Sequence, residues 1–93
     1  MSCAAWTRLA QADLAAIGDY YEPLNPDFPL HVERQAMAAS RFLAEHPRAG
    51  PEIELGTRKW SVPKTDYIIV YRIVRGGIEV LRVYHARQQW RPL

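Results

Sequence analysis

The chain has 93 residues, of which 48% are hydrophobic and 24% are charged, with three Trp and a single Cys. This length supports one domain over residues 1–93 with a single modest core, and the apolar content excludes a disordered chain. The lone Cys3 excludes an intrachain disulfide and a cysteine-based zinc site. No apolar run reaches the ~18–20 residues of a membrane-spanning helix, and a signal-peptide pattern is absent, so we expect a cytoplasmic protein without a membrane partner.

Charge is distributed unevenly along the chain. Residues 1–55 hold four Arg and eight acidic groups, a formal −4, whereas residues 56–93 hold eight Lys or Arg and two acidic groups, a formal +6. The net charge of +2 therefore conceals a strongly basic C-terminal half. Such a half suits a nucleic acid, a protein bound to nucleic acid, or an acidic polypeptide; the alternative is an ordinary solvated sheet face.

The N-terminal half predicts a strand and two helices. Residues 3–6 form a short first strand, and Thr7 caps the helix that follows it. Pro23 and Pro26 end this helix and stiffen the connector. The second helix begins near Asn25 or Asp27, which can cap it, and ends at His46-Pro47. One apolar stripe on each helix marks its core side: Ala10, Leu14, Ile17 and Tyr21 on the first, and Val32, Ala36, Ala39 and Leu43, widened by Met37 and Phe42, on the second.

The C-terminal half predicts three strands. Residues 57–62 form the first of them, and Gly76-Gly77 separates the two strands of a hairpin. With a three-residue loop, Arg75 to Gly77, the arginines Arg72 and Arg82 share one exposed face; a two-residue loop would place them on opposite faces. We favour the three-residue loop. It assigns Ile68, Val70, Val80 and Tyr84 to the arginine face, and Ile69, Tyr71, Ile73, Leu81 and Val83 to the helix side.

Several motifs in this order resemble the ParE/RelE superfamily of bacterial toxins, and the ParE branch most. They cover nearly the whole chain, and they are specific as a set rather than singly. The matching pieces are Thr7-x-x-Ala10-x-x-Asp13-Leu14-x-x-Ile17-x-x-Tyr20, Asn25-Pro26, Leu43-x-x-x-Pro47-x-x-Gly50, Gly56-x-Arg58, Tyr67-x-Ile69-x-Tyr71-Arg72 and Ile78-x-Val80-Leu81-Arg82-Val83-x-His85.

The resemblance implies an α+β fold in the order β-α-α-β-β-β. Its helix hairpin would lie on an antiparallel sheet whose first strand is beside the last. The implied function is a toxin that poisons DNA gyrase by way of its A-type subunit, without sequence-specific nucleic-acid binding, and is neutralised by a ParD-like antitoxin. We expect the binding residues to be Arg58, Lys59, Arg72, Arg82, Arg87 and Trp90; for Arg72 and Arg82 the alternative is an ion pair with Glu52, Glu54 or Glu79.

A second branch of the superfamily contains ribosome-dependent mRNA interferases. Those enzymes use basic and acid/base side chains to activate a ribose 2′-hydroxyl and stabilise the phosphate. His85, Arg58 and Arg82 are the candidates here, but Ile68 occupies the position where that branch carries an arginine. Ile68 therefore favours the ParE-like interpretation, in which the toxin acts by binding and has no catalytic residue. No His, Asp or Glu trio has metal-ligand spacing, so we expect no metal or cofactor. A homologue that only binds its antitoxin is a third interpretation.

Overall fold

The computed structural model describes residues 2–87. Two helices form one layer and a five-stranded sheet forms the other, so the predicted two-layer α+β fold is confirmed. The sheet has the strand order β1-β5-β4-β3-β2. The elements are β1 (Cys3–Trp6), α1 (Arg8–Tyr21), α2 (Asp27–Glu45), β2 (Glu52–Glu54), β3 (Thr57–Ser61), β4 (Tyr67–Val74) and β5 (Gly77–His85).

Strand β1 lies beside β5 as predicted, but the two run parallel, so the sheet is mixed rather than antiparallel throughout. Gly77 makes this pairing possible, because a Cβ at this position would collide with the Cys3 carbonyl. The short strand β2, which we did not predict, pairs with the start of β3. Neither helix within residues 2–87 combines the length and apolar character needed to cross a membrane.

Both helices begin and pack largely as the sequence predicts. The Thr7 hydroxyl accepts a hydrogen bond from the Ala10 amide and caps α1, while Pro26 precedes α2 and the Asn25 side chain accepts from the Asp27 amide. The predicted stripes face the sheet, where Val32, Ala36 and Leu43 are fully buried. Phe42 differs from the prediction. It is 44% exposed and stacks on Trp60 at the border of the core.

The β4–β5 hairpin has the predicted register at one end only. Val74 pairs with Gly77 across a two-residue turn, yet Val70 pairs with Arg82, as a three-residue loop would give. The extra residue is Leu81, in a β-bulge opposite the Val70–Tyr71 step. A bulge reverses the side-chain alternation of the strand beyond it. Val80 therefore faces the helices and Leu81 does not, which is the reverse of our assignment.

The loop after α2 is fastened to the sheet by Tyr71. Its hydroxyl donates to the Pro47 carbonyl at 2.6 Å and accepts from the Gly50 amide at 3.0 Å. Arg58 completes the attachment by donating from Nη1 to the Gly50 carbonyl at 2.7 Å. Gly50 must be glycine here, because a Cβ would collide with the Lys59 carbonyl and the Tyr71 ring. The Pro47, Gly50, Arg58 and Tyr71 positions thus form one structural unit.

The two hydrogen bonds of the Tyr71 hydroxyl predict how removal of that single oxygen atom affects stability. Tyr71→Phe removes both hydroxyl hydrogen bonds and leaves the buried Gly50 amide unsatisfied, so we expect it to lower the free energy of unfolding by about 2 kcal/mol. Tyr20→Phe is the matched control, because Tyr20 is 67% exposed, and should change stability by less than about 0.5 kcal/mol. Urea unfolding measures both. Equal stability of the two variants would contradict the role given to the Tyr71 hydroxyl.

Candidate partner-binding faces

The sheet side that faces away from the helices, here called the open face, carries three of the predicted binding residues. Lys59 on β3 and Arg82 on β5 both pair with Val70 on β4, so the three side chains form one row across the sheet. Arg72 pairs with Glu79 and lies on the same side. Neighbouring strands are about 4.8 Å apart, which places the Lys59 and Arg82 backbones about 10 Å from each other.

Arg72 forms an exposed ion pair. Its Nε lies 2.8 Å from the Glu79 carboxylate, and the two side chains are 53% and 27% exposed. Glu79 is one of the three acidic residues named as alternatives for the arginines. A pair this exposed stabilises the fold by at most about 1 kcal/mol. Arg72 can therefore exchange Glu79 for an acidic group of a partner at little cost.

Arg82 is held more firmly, by Asp13 of α1. Its Nε and Nη2 donate to the two carboxylate oxygens at 2.9 and 3.0 Å, and the Val83 amide donates to the same carboxylate at 2.8 Å. The hydrogen bond to Asp13 raises the pKa of the Arg82 guanidinium, the largest cause of that shift. The guanidinium also lies 5.0 Å from the centre of the Tyr84 ring. Both contacts fix the direction of the side chain.

Asp13 was not recognised from the sequence as a site residue, although its position contained a signal. It follows Ala10 by three residues and precedes Ile17 by four, so it lies next to the buried stripe of α1. An acidic side chain beside a core stripe requires a partner. The partner could not be identified in advance, because it depends on the end of β1 and on the bulge at Leu81, which together expose the edge of β5 to α1.

An apolar cleft of about 270 Å³ adjoins Arg82 on the open face. Thr7 and Leu9 form its wall at the start of α1, and Arg82 stands at its polar end. Leu9 is 60% exposed, so the cleft is open to a partner. The lining residues are Thr7, Leu9, Thr57, Val70, Leu81, Arg82 and Tyr84.

The other predicted binding residues lie elsewhere. Arg58 pairs with Tyr71, so its side chain lies on the helix side, where it donates to the Gly50 and Arg48 carbonyls. Arg87 is exposed just beyond β5. Trp90 lies outside the described residues. The structure therefore brings Lys59, Arg72 and Arg82 together and directs Arg58 to the loop after α2.

The candidate ribonuclease residues are separated in the structure. His85 pairs with Tyr67 and faces the helices, whereas Arg82 is on the open face. Arg58 pairs with Tyr71, four residues from Tyr67 along β4 and so about 13 Å away. His85 Nδ1 accepts a hydrogen bond from the Arg87 amide at 3.1 Å, and its ring meets the Tyr67 ring edge-on at 5.2 Å.

His85 and Tyr67 border a hollow of about 280 Å³ between α1 and the sheet. Tyr67 is almost fully buried, and burial, followed by the influence of Tyr21, raises the pKa of its phenol to about 12. Within residues 2–87, no group of three or more His, Cys, Asp or Glu side chains is placed to hold a metal ion.

The raised pKa of Tyr67 predicts a loss of stability in alkali. An unfolded tyrosine ionises near pH 10, whereas Tyr67 in the folded protein keeps its proton until about pH 12. Its contribution to stability is complete below pH 10 and falls as the pH rises through this window. Urea unfolding at about pH 9 and about pH 11 should show a smaller loss in Tyr67→Phe than in the wild type. Tyr20→Phe should lose as much stability between the two pH values as the wild type does. If Tyr67→Phe also loses as much as the wild type, the Tyr67 phenol ionises as readily in the folded protein as in the unfolded chain.

Comparison with known proteins gives a consistent result. Residues 4–90 match the family described as the ParE toxin of the type II toxin-antitoxin system parDE. The chain is 41% identical over 86 residues to the Y4kP protein of Sinorhizobium fredii, covering 91% of this chain and 88% of that protein. It is 31% identical over 86 residues to the RelE2 toxin of Caulobacter vibrioides, covering 92% and 97%.

A solved structure is similar as well. The chromosomal ParDE toxin-antitoxin system of P. aeruginosa contains a chain that superposes with a TM-score of 0.77 at 28% sequence identity, and the match covers 91% of this chain and 96% of that one. Fold, motif order and sequence agree over the same region. The chain belongs to the ParE family of toxins of type II toxin-antitoxin systems.

Proposed function

We propose that this toxin inhibits DNA gyrase in the cytoplasm by binding through the open face, without covalent chemistry of its own. The observation that carries the proposal is the pair of residues Ile68 and Arg82. Ile68, at the position where the interferases carry an arginine, lies on the open face opposite Tyr84 and is only 9% exposed. An apolar side chain at this place cannot bind the phosphate of an RNA substrate.

The contacts of the open face suit a protein target. Arg82 keeps a permanent charge, and only its Nε and Nη2 are engaged by Asp13, so Nη1 is directed to neither Asp13 oxygen. Lys59, at the other end of the row, and Arg72, on the same face, extend the basic surface. The apolar cleft beside Arg82 adds a place for an apolar side chain. Arginine next to an apolar cleft is the composition typical of binding hot spots. Arg87, just beyond β5, and Trp90, outside the described residues, stay predicted binding residues.

The family assignment supports the antitoxin as a partner. An acidic, ParD-like antitoxin fits the basic C-terminal half of the chain. We expect the antitoxin to neutralise the toxin in the cell and to be isolated with it. A toxin held inactive in this way can stabilise a plasmid, because cells that lose the pair of genes lose the antitoxin first.

The second candidate function is that of a ribosome-dependent ribonuclease. The name of the Caulobacter relative, RelE2, suggests this function. It would use His85 as the general acid or base, with Arg58 and Arg82 at the phosphate. These three side chains are not gathered within the described fold. A change of shape on the ribosome would have to assemble them.

The direct test compares both activities of one protein preparation. The toxin should stabilise gyrase-cleaved DNA in a supercoiling assay and should leave ribosome-bound mRNA uncut. Cleavage of that mRNA, abolished by His85→Ala, would establish the ribonuclease instead. Failure of both assays in a protein that still binds its antitoxin would identify an inactive homologue.

Arg82 provides the mutational prediction. Arg82→Glu reverses the charge next to Asp13, and Arg82→Gln removes the charge while keeping an N–H donor for the Asp13 carboxylate. We expect each to raise the toxin concentration needed for half-inhibition of gyrase about tenfold and to flatten its dependence on salt. Arg34→Glu on α2 is the control for net charge and should leave inhibition unchanged, as should His85→Ala. Unaltered inhibition by both Arg82 variants would show that the open face is not the gyrase-binding surface.

A further inference from the structure

The hollow of about 280 Å³ between α1 and the sheet is lined by four aromatic rings, and we call it the aromatic hollow. The rings belong to Tyr20, Tyr21, Tyr67 and His85, and Asp13 supplies a carboxylate. Tyr20 is 67% exposed, so the hollow can be reached from solvent. Pockets for drug-sized ligands have volumes of roughly 300–1,000 Å³. The aromatic hollow is therefore of a size that admits only a small ligand.

The four rings form two pairs of nearly perpendicular planes. The Tyr20 and Tyr21 ring centres are 4.7 Å apart at 82°. Those of Tyr67 and His85 are 5.2 Å apart at 87°. Tyr21 also packs against Phe28 with 4.6 Å between ring centres, and Tyr67 is only 6% exposed, so these two walls are fixed. Within each pair the ring surfaces point in different directions, which suits a compact ligand better than a flat one.

The charge around the aromatic hollow favours a cation. Among the described residues that line it, Asp13 is acidic and none is Lys or Arg. Arg82 offsets part of the Asp13 charge from the open face. Within residues 2–87, however, Asp13 Oδ2 accepts two hydrogen bonds and Oδ1 accepts one, from Arg82 Nη2. A carboxylate oxygen has two lone pairs, so Oδ1 keeps the capacity to face a second positive group.

The Tyr67 phenol indicates the same preference. Burial is the largest cause of its raised pKa, and the Tyr21 hydroxyl and the Asp66 carboxylate raise that pKa further. The influence of Asp66 means that a second negative group acts on this part of the hollow, which disfavours an anion there. Burial also penalises a strongly hydrated ion. A cation that carries its charge on an apolar, alkylated group meets both conditions.

We propose that the aromatic hollow binds the alkylated ammonium group of a small organic cation. The ammonium lies within about 6 Å of the ring centres, where the negative faces of the rings attract it. Asp13 Oδ1 attracts it from the side of α1, and Ile17 and Val83 contact its carbon atoms. The inference does not rest on gyrase as the target, because Tyr67 and His85 face the helices and Arg82 lies on the open face.

Isothermal titration calorimetry of the full chain with choline chloride tests the site. The alcohol 3,3-dimethyl-1-butanol is the ligand control, because it has the shape of choline with a carbon atom in place of the charged nitrogen. We expect choline to bind at least about fivefold more tightly than this alcohol, since only the cation is attracted by the ring faces and by Asp13.

Substitution of Tyr20 should change the affinity for choline in a graded way. Tyr20 is the most exposed of the three tyrosines, so its replacement disturbs the fold least. Tyr20→Ala should weaken choline binding about threefold, Tyr20→Phe should retain the wild-type affinity, and Tyr20→Trp should increase it. Phe42→Leu removes a partly exposed ring of α2 outside the hollow and is the matched control, with the affinity of the wild type.

A positive charge placed at the opening of the aromatic hollow supplies a second test. Ala16 is exposed and lines the hollow. Ala16→Arg should therefore weaken choline binding at least about tenfold, because the guanidinium repels a second cation and fills its place. Ala38→Arg adds the same side chain at an exposed alanine of α2 outside the hollow and should bind choline as the wild type does. Circular dichroism checks that each variant is folded.

Three results would overturn the proposal. Equal affinity for choline and the neutral alcohol, or no binding of either, would show that the hollow has no preference for a cation. Wild-type affinity in both Tyr20→Ala and Ala16→Arg would place choline elsewhere on the protein. Tighter binding of indole than of choline would assign the hollow to flat aromatic ligands. The titrations require neither gyrase nor an antitoxin, so failure of the proposed function leaves their outcome unchanged.

Discussion

The Asp13 carboxylate is the contact on which the arrangement of this molecule most depends. It binds the Val83 amide and the Arg82 side chain together, and so joins α1 to the edge of β5 beyond the end of β1. The Thr7 hydroxyl donates a hydrogen bond to the Leu81 carbonyl and so covers the same edge two residues earlier along β5. A free strand edge would offer backbone groups to other chains. Here the edge is closed by side chains of the first helix, and the same contact directs an arginine to the open face.

This edge contact and the bulge at Leu81 determine which side chains lie on each side of the sheet. The helix side contains the core and the Tyr71 unit, in which Arg58 serves the fold by holding the loop after α2. The open face contains Lys59, Arg72 and Arg82. Because one residue more or less in β5 would reverse the alternation of its side chains, the bulge determines which groups reach each side. Basic residues that look equivalent in the sequence thereby lie on different sides of the sheet.

The sequence was sufficient for the two helices and for the position of the first strand beside the last, since these follow from periodicity, caps and a set of motifs. The two arginines do share a face, but the three-residue loop from which we predicted this is wrong. The sequence was not sufficient for the hairpin. A two-residue turn with a bulge and a three-residue loop without one give the same register at Val70 and Arg82, and no local signal at Leu81 distinguishes them. Asp13 and Phe42 were missed for a related reason: their environments are made by residues distant in sequence, Val83 and Trp60. Helical spacing shows that such residues lie beside the core but cannot show what they meet there.

The central claim is that the toxin engages gyrase with the open face of its sheet. Photo-crosslinking from single positions tests it most directly, because it reports the partner and the face in one measurement. Ser61 is exposed and lies on the open face opposite Ile68, and Ala12 is exposed on α1. With a photoreactive residue in place of Ser61, we expect a crosslink to gyrase in bacterial extract, and with the same residue in place of Ala12 we expect none. Crosslinks from position 61 to ribosomal components, or crosslinks to gyrase from position 12 alone, would contradict the claim.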